Sequence, residues 1–163
     1  MLTSVALAHG ELLECATWDD RAGVFWCVDI LAPALKRLDP RTGAITLYPM
    51  PAHIGSFALR ETGGLIVALR TGLGLFDPST GQVEMVWTAD WDPATARAND
   101  GRCDRQGRFW FGTIFEPRTH TGGAFYRVDG DLTVTKVWDG VTISNGLAFS
   151  PDGTRLYHAD TPT

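Results

Sequence analysis

Three short polar stretches carry the side chains best suited to chemistry. Glu14 stands before Cys15-Ala16-Thr17-Trp18, Arg97-Ala98-Asn99-Asp100-Gly101 stands before Arg102-Cys103-Asp104, and Ser144-Asn145-Gly146 stands before Leu147-Ala148-Phe149. Taken singly, each has a plain structural meaning. Asn-Gly and Asn-Asp-Gly are turn signals, and a Glu ahead of a strand is usually a solvated side chain. Taken together, one carboxylate (Glu14) and two amides (Asn99, Asn145), each entering from a different repeat, make a hard oxygen set. Such a set suits Ca²⁺, Mg²⁺ or Mn²⁺ better than Zn²⁺, which favours imidazole and thiolate, and it leaves Fe²⁺ open.

The remaining chemistry-bearing residues read as structural. His9, His53 and His120 have no metal spacing. His158 alternates with Tyr157 and reads as a hydrogen-bonded core or channel-lining residue. Cys15 adjoins Glu14, but no Cys-His-Asn order supports a nucleophile. Cys15, Cys27 and Cys103 are odd in number without a CxxC pair, which argues against a disulfide framework or zinc cluster and favours a reducing, cytoplasmic setting. Trp18, Trp26, Trp87, Trp110 and Trp138 are expected to pack between sheets.

These groups need a scaffold, and the chain supplies it by repetition. A turn ending in Gly precedes a short aromatic or β-branched strand at 24–28, 65–69, 108–112 and 154–158. The steps from Phe25 to Leu65, Phe109 and Leu156 are 40, 44 and 47 residues. A second signal, Asp39-Pro40-Arg41-Thr42-Gly43, recurs as Asp77-Pro78-Ser79-Thr80-Gly81 and is echoed at Asp129-Gly130. Pro presets φ, Asp caps its own turn and Gly supplies positive φ. Units of this length holding about four short strands predict an all-β propeller rather than a sandwich, whose strands need no constant interval. Helix signals are scarce, and the stretch 92–97 has room for one turn at most.

Composition narrows the partners. Fourteen Lys+Arg against nineteen Asp+Glu give a net charge of -5 with no basic run, which disfavours nucleic acid. No apolar run approaches the length of a membrane span, and the opening MLTSVALAHG lacks the basic start of a secretory leader.

At these motifs the chain resembles the regucalcin/gluconolactonase family of six-bladed propeller lactonases, along essentially its whole length. The resemblance is carried by Glu14, Trp18 and Val28-Asp29-Ile30; by Arg97 to Gly101 with Gly107-Arg108-Phe109 and Gly112-Thr113; and by Ser144-Asn145-Gly146 with Ser150 to Asp160. One departure is Cys15-Ala16, where the family commonly has Gly or Ser and then Pro. The resemblance implies one divalent ion (Ca, Zn, Mg, Mn or Fe(II)) with Glu14 and Asn145 as direct ligands. Asn99 would be a ligand or a donor to substrate, and Arg97 would bind substrate hydroxyls or lactone oxygens. It implies hydrolysis of an aldonolactone of the gluconolactone, xylonolactone or arabinolactone type, the ion polarising the carbonyl. The remaining ligand and general base are expected beyond Thr163. Residues 1–163 would then be the N-terminal part of one propeller domain, an open arc of about three blades plus the start of a fourth, inactive alone, with the strand at 154–158 as the first of that new unit. The competing readings are a non-catalytic calcium-binding or protein-interaction propeller, and a strictosidine-synthase-like or phosphoesterase propeller.

Overall fold

The structure is a computed structural model and describes residues 9–161. The reading of the N-terminal ten residues as no leader therefore rests mostly on residues outside that range. No helix among the described residues is long and apolar enough to cross a membrane.

The repeats fold as antiparallel meanders. The first sheet contains β1 (Leu13–Asp19), β2 (Val24–Asp29), β3 (Ala34–Leu38) and β4 (Ile45–Pro49). The second contains β5 (Ile54–Leu59), β6 (Leu65–Leu69), β7 (Gly72–Asp77) and β8 (Gln82–Thr88). The third contains β9 (Ala96–Cys103), β10 (Phe109–Phe115), β11 (Gly123–Val128) and β12 (Val134–Val141). A fourth is the pair β13 (Ser144–Phe149) and β14 (Leu156–Asp160). Strands pair in sequence order within every sheet, so the described residues form three propeller blades and two strands of a fourth. The innermost strands β1, β5, β9 and β13 meet one another in that order.

Local sequence explains the turns. Asp39 and Asp77 each accept from a backbone N–H two residues on, and the N–H of Gly43 or Gly81 returns to the Asp carbonyl at 2.8 Å, with the glycine at φ 73° or 72°. Residues 92–96 form one hydrogen-bonded turn, Ala96 N–H to Asp92 O at 2.9 Å, and β9 begins immediately.

Two expectations are corrected. The strand counted in the repeat is the second of each blade, so Leu156–Asp160 is β14 and not the first strand of a new unit. The Ser144-Asn145-Gly146 stretch, which singly reads as a turn, is the start of that blade's inner strand β13.

Packing follows from position in the arc. β6 is buried at all five residues because its blade has neighbours on both faces, and its sequence LIVAL is accordingly a continuous apolar run. One apolar cluster joins the first two blades around Trp26, Leu35, Phe57 and Phe76. A second joins the second and third blades around Ala68, Leu73, Phe111 and Tyr126. Trp87 meets Trp91 and Tyr126, Trp110 meets Phe149, and Trp138 lies against Phe125 and His158. Trp18 differs from the expectation: it is 46% exposed, and among the described residues the one ring it meets is that of Phe25.

Candidate functional site

The three polar stretches all lie on innermost strands, and each coincides with a bulge. Between the pairs Glu14↔Val28 and Thr17↔Trp26, two β1 residues face one of β2. Between Asn145↔Ala159 and Ala148↔Tyr157, two β13 residues face one of β14. Between Ala98↔Thr113 and Gly101↔Phe111, Asn99 and Asp100 face Gly112 alone. A bulge interrupts the alternation of side chains and re-aims one of them. Two of the bulges use the backbone expected of an Asn-Gly turn, with Cys15 at φ 54° and Gly146 at φ 61°. The turn signal is therefore real, but it bends a strand instead of ending one.

Asp29 and Asp160 show the same repeat symmetry. Asp29 accepts from Glu11 and Leu12 N–H groups, and Asp160 accepts from Thr142 and Ile143 N–H groups, each ordering the entry to an inner strand.

Arg97, Asn99 and Asn145 form one hydrogen-bonded run. Arg97 Nη1 donates to Asn99 Oδ1 at 2.8 Å and to Ala98 O at 3.1 Å. Asn99 Nδ2 donates to Ser144 O at 2.9 Å and to Asn145 Oδ1 at 3.1 Å. The amide orientation follows from its partners, since a guanidinium only donates and a peptide carbonyl only accepts. Asp100 adds a second tie, accepting from Leu147 N–H at 3.2 Å. Asn99 and Asp100 thus hold β13 on both sides of Asn145. Behind them, Ser144 Oγ lies 2.8 Å from His158 Nε2, and burial pushes the His158 pKa down against the opposing pull of Asp160 and Asp100. This agrees with the hydrogen-bonded role read for His158.

Glu14 is placed differently. It is exposed on β1 and has no side-chain hydrogen bond or ion pair among the described residues. Its neighbour Cys15 turns inward, its Sγ 4.0 Å from both Phe57 O and Gly101 O, and burial pushes its thiol up to about 11. A protonated, sequestered thiol is no nucleophile. A cavity of about 220 Å³ lies beside it, lined by Thr17, Phe57 and Gly101 among others. Larger hollows of about 610, 450 and 410 Å³ cluster at the 60–64 turn and include none of Glu14, Arg97, Asn99 or Asn145.

Sequence reasoning missed Glu116, Arg70 and His53. Glu116 Oε1 accepts from Arg97 Nε at 3.2 Å and from Arg70 Nη2 at 2.7 Å. Arg70 Nη2 also donates to His53 Nδ1 at 3.0 Å. Burial alone would raise the Glu116 pKa, but Arg70 and Arg97 outweigh it and hold the carboxyl below its ordinary value. Burial, Arg70 and Arg97 push His53 down, so it stays neutral at neutral pH. Each of these residues sits at a strand end or turn with no motif of its own. The available signal was topological: Arg97 pairs with Ile114, which places Glu116 at the same blade edge.

The profile of the SMP-30/Gluconolactonase/LRE-like region matches residues 12–163. The chain belongs to this family. Among its SMP-30/gluconolactonase relatives, the 6-deoxy-6-sulfogluconolactonase of Pseudomonas putida is 45% identical over 161 residues, covering 99% of this chain and 55% of the relative. The L-arabinolactonase of Azospirillum brasilense is 37% identical, covering 97% and 54%. A solved regucalcin from Agrobacterium tumefaciens, described as a calcium-binding protein, superposes with a TM-score of 0.88 at 32% identity, over 93% of this chain and 51% of that one. The chain spans about half the length of the curated relatives it matches.

Proposed function

We propose that this chain supplies the N-terminal blades, and one side of the active site, of a metal-dependent sugar lactonase that opens an aldonolactone to its aldonic acid. The observation that carries the reading is the Arg97–Asn99–Asn145 run across two inner-strand bulges, with Glu14 on the equivalent bulge of β1. The names of the Pseudomonas and Azospirillum relatives support lactone hydrolysis.

The donor chemistry fits a divalent ion at Glu14 and Asn145. Glu14 offers an unengaged carboxylate and Asn145 an amide oxygen, both hard donors. Asn99 turns its oxygen to Arg97 and its N–H groups to Ser144 and Asn145. That supports Asn99 as the neighbour that steadies Asn145, rather than as a third direct ligand. When bound, the ion would supply Lewis-acid polarisation of the lactone carbonyl. Arg97 would orient the substrate by charge-assisted hydrogen bonds to its oxygens. Water would add to the carbonyl carbon, the ring C–O bond would break, and the ring oxygen would leave as a hydroxyl. In this reading the carboxylate that takes the proton from water, and completes the ligand set, lies beyond Thr163.

A calcium-binding propeller without catalysis has the description of the Agrobacterium relative in its favour, but ion binding alone leaves the Nη2 of Arg97, which has no hydrogen-bond partner among the described residues, without a use. The test is turnover of gluconolactone, xylonolactone and arabinolactone by the full-length protein, before and after EDTA and after metal is restored. Turnover that survives EDTA sinks the metal-dependent mechanism, and no turnover of any lactone sinks the reaction class.

A further inference from the structure

We infer that the mouth of the Arg97 site is an oxyanion subsite, and that the preferred substrate is an acidic sugar lactone carrying a sulfonate or phosphate at the end remote from the lactone carbonyl. This deepens the lactonase reading and rests on it.

The charge balance at this corner runs against that of the chain. The sequence has a net charge of -5, yet Arg70 and Arg97 both pair with the single carboxylate of Glu116, and the charge of Arg118 acts on Arg97. His53, the other titratable group facing them, is held neutral by burial and by Arg70 and Arg97. Two guanidiniums on one carboxylate leave one positive charge uncompensated, and Arg118, two residues along the chain from Glu116, adds another.

Those charges have somewhere to go. Arg97 is 7% exposed, its Nε is used by Glu116, and its Nη1 by Ala98 and Asn99. Its Nη2 has no hydrogen-bond partner among the described residues. The buried unpartnered side-chain atoms there are Trp26 Nε1, Ser56 Oγ and Arg127 Nε, so Arg97 Nη2 opens on solvent. The guanidinium of Arg118 is likewise exposed and without a partner among the described residues, close enough to Arg97 to lower its pKa. Its backbone sits at φ 52°, a conformation a side chain rarely adopts.

Arg70 sets the sign of the field. It is held by Pro93 O at 2.7 Å, by both Glu116 oxygens at 2.7 and 2.8 Å, and through its own carbonyl by Trp91 Nε1 at 2.9 Å. With its geometry fixed, it neutralises Glu116 and leaves Arg97 Nη2 and Arg118 to face an incoming anion. Guanidinium forks match the oxygens of sulfonate and phosphate, and a partly desolvated site strengthens each contact. The neutral hydroxyl of an unsubstituted sugar would use only one of these donors.

The experiment uses the full-length protein and two readouts. Calorimetry compares gluconate with gluconate bearing a C6 sulfonate or a C6 phosphate, and steady-state kinetics compares the corresponding lactones. The charged C6 group is expected to improve affinity and kcat/KM by about tenfold or more, as one charge-assisted contact does. The better of the two anions identifies the substituent. Arg118→Gln, on an exposed turn, and Arg70→Gln should each reduce that preference by about tenfold, mainly through KM, and raised salt should weaken it. Arg70→Lys, which keeps the charge, should retain more of the preference than Arg70→Gln. Equal handling of charged and neutral C6 groups overturns the subsite, as does a preference that survives both glutamine variants. Selective binding of the charged acids without turnover of any lactone upholds the subsite and overturns the lactonase. Neither selectivity nor turnover overturns both.

Discussion

Glu14 and Asn145 occupy the same point of two blades: each is the last paired residue before a two-for-one bulge on an innermost strand. Their partners match as well, since Glu14 faces Val28 next to Asp29 and Asn145 faces Ala159 next to Asp160. Asn99 lies one residue further along, within the bulge of β9. The blade repeat therefore aims two oxygen-bearing side chains in equivalent directions and offsets the third. That offset is what lets Asn99 reach Asn145 sideways.

On the proposed function, Glu14→Gln should abolish most lactone turnover by the full-length protein while leaving its fold intact, because Glu14 is exposed and bonded to no described residue. Loss of an outer-sphere partner typically costs 10–100-fold in metal affinity or activity, so loss of a direct carboxylate ligand should cost at least about 100-fold. Metal content measured on the purified variant should fall in parallel. A variant with full activity would falsify the role assigned to Glu14.

Asn99→Asp tests the steadying role. The change is isosteric, yet it sets a carboxylate oxygen against Ser144 O and Asn145 Oδ1 where two N–H donations now stand. Activity should drop about 10–100-fold. Asn99→Ala should be milder, because it removes the donors without adding repulsion. If the two variants behaved alike, the amide orientation would not matter.

Gly55→Ala should disturb the site from the neighbouring blade. A Cβ there would run into the backbone of Ala98 and Asn99. Backbone cannot yield as a flexible side chain can, so the expected loss is about 1–3 kcal/mol of stability, with a fall in activity. Urea unfolding midpoints of parent and variant measure it. Gly130→Ala, with nothing near its Cβ position and no positive φ, is the control for glycine replacement itself.

Stability should fall as pH drops below about 6.5, the ordinary histidine pKa. His158 and His53 both have folded pKa values lowered by burial. The unfolded chain then binds protons first, so their contribution is complete above the unfolded pKa and is lost as pH falls through the folded one. The thermal midpoint should decline from pH 7 to pH 5. His158→Gln should flatten part of that decline, and a variant with the parent's full pH slope would remove His158 from the account.

The sequence by itself determined the blades. The Asp-Pro-x-x-Gly turns, the Gly-ended turns before apolar strands and their steps of 40, 44 and 47 residues are local signals, and local chemistry is sufficient for a meander. It also picked out Arg97, Asn99 and Asn145, because Asn-Gly and Asn-Asp-Gly announce irregular backbone. What the sequence could not reveal is that this backbone bulges within a strand. A bulge and a turn share the same positive φ and differ only in whether the partner strand continues past it. Tertiary structure alone decided the rest. Glu116 meets Arg97, Arg70 meets Glu116 and His53 meets Arg70, and no spacing along the chain encodes contacts made by packing one blade on the next. Likewise, only the fold shows that Asn99 gives Arg97 its oxygen and Asn145 its N–H, since an amide presents both ends and its neighbours in space choose between them.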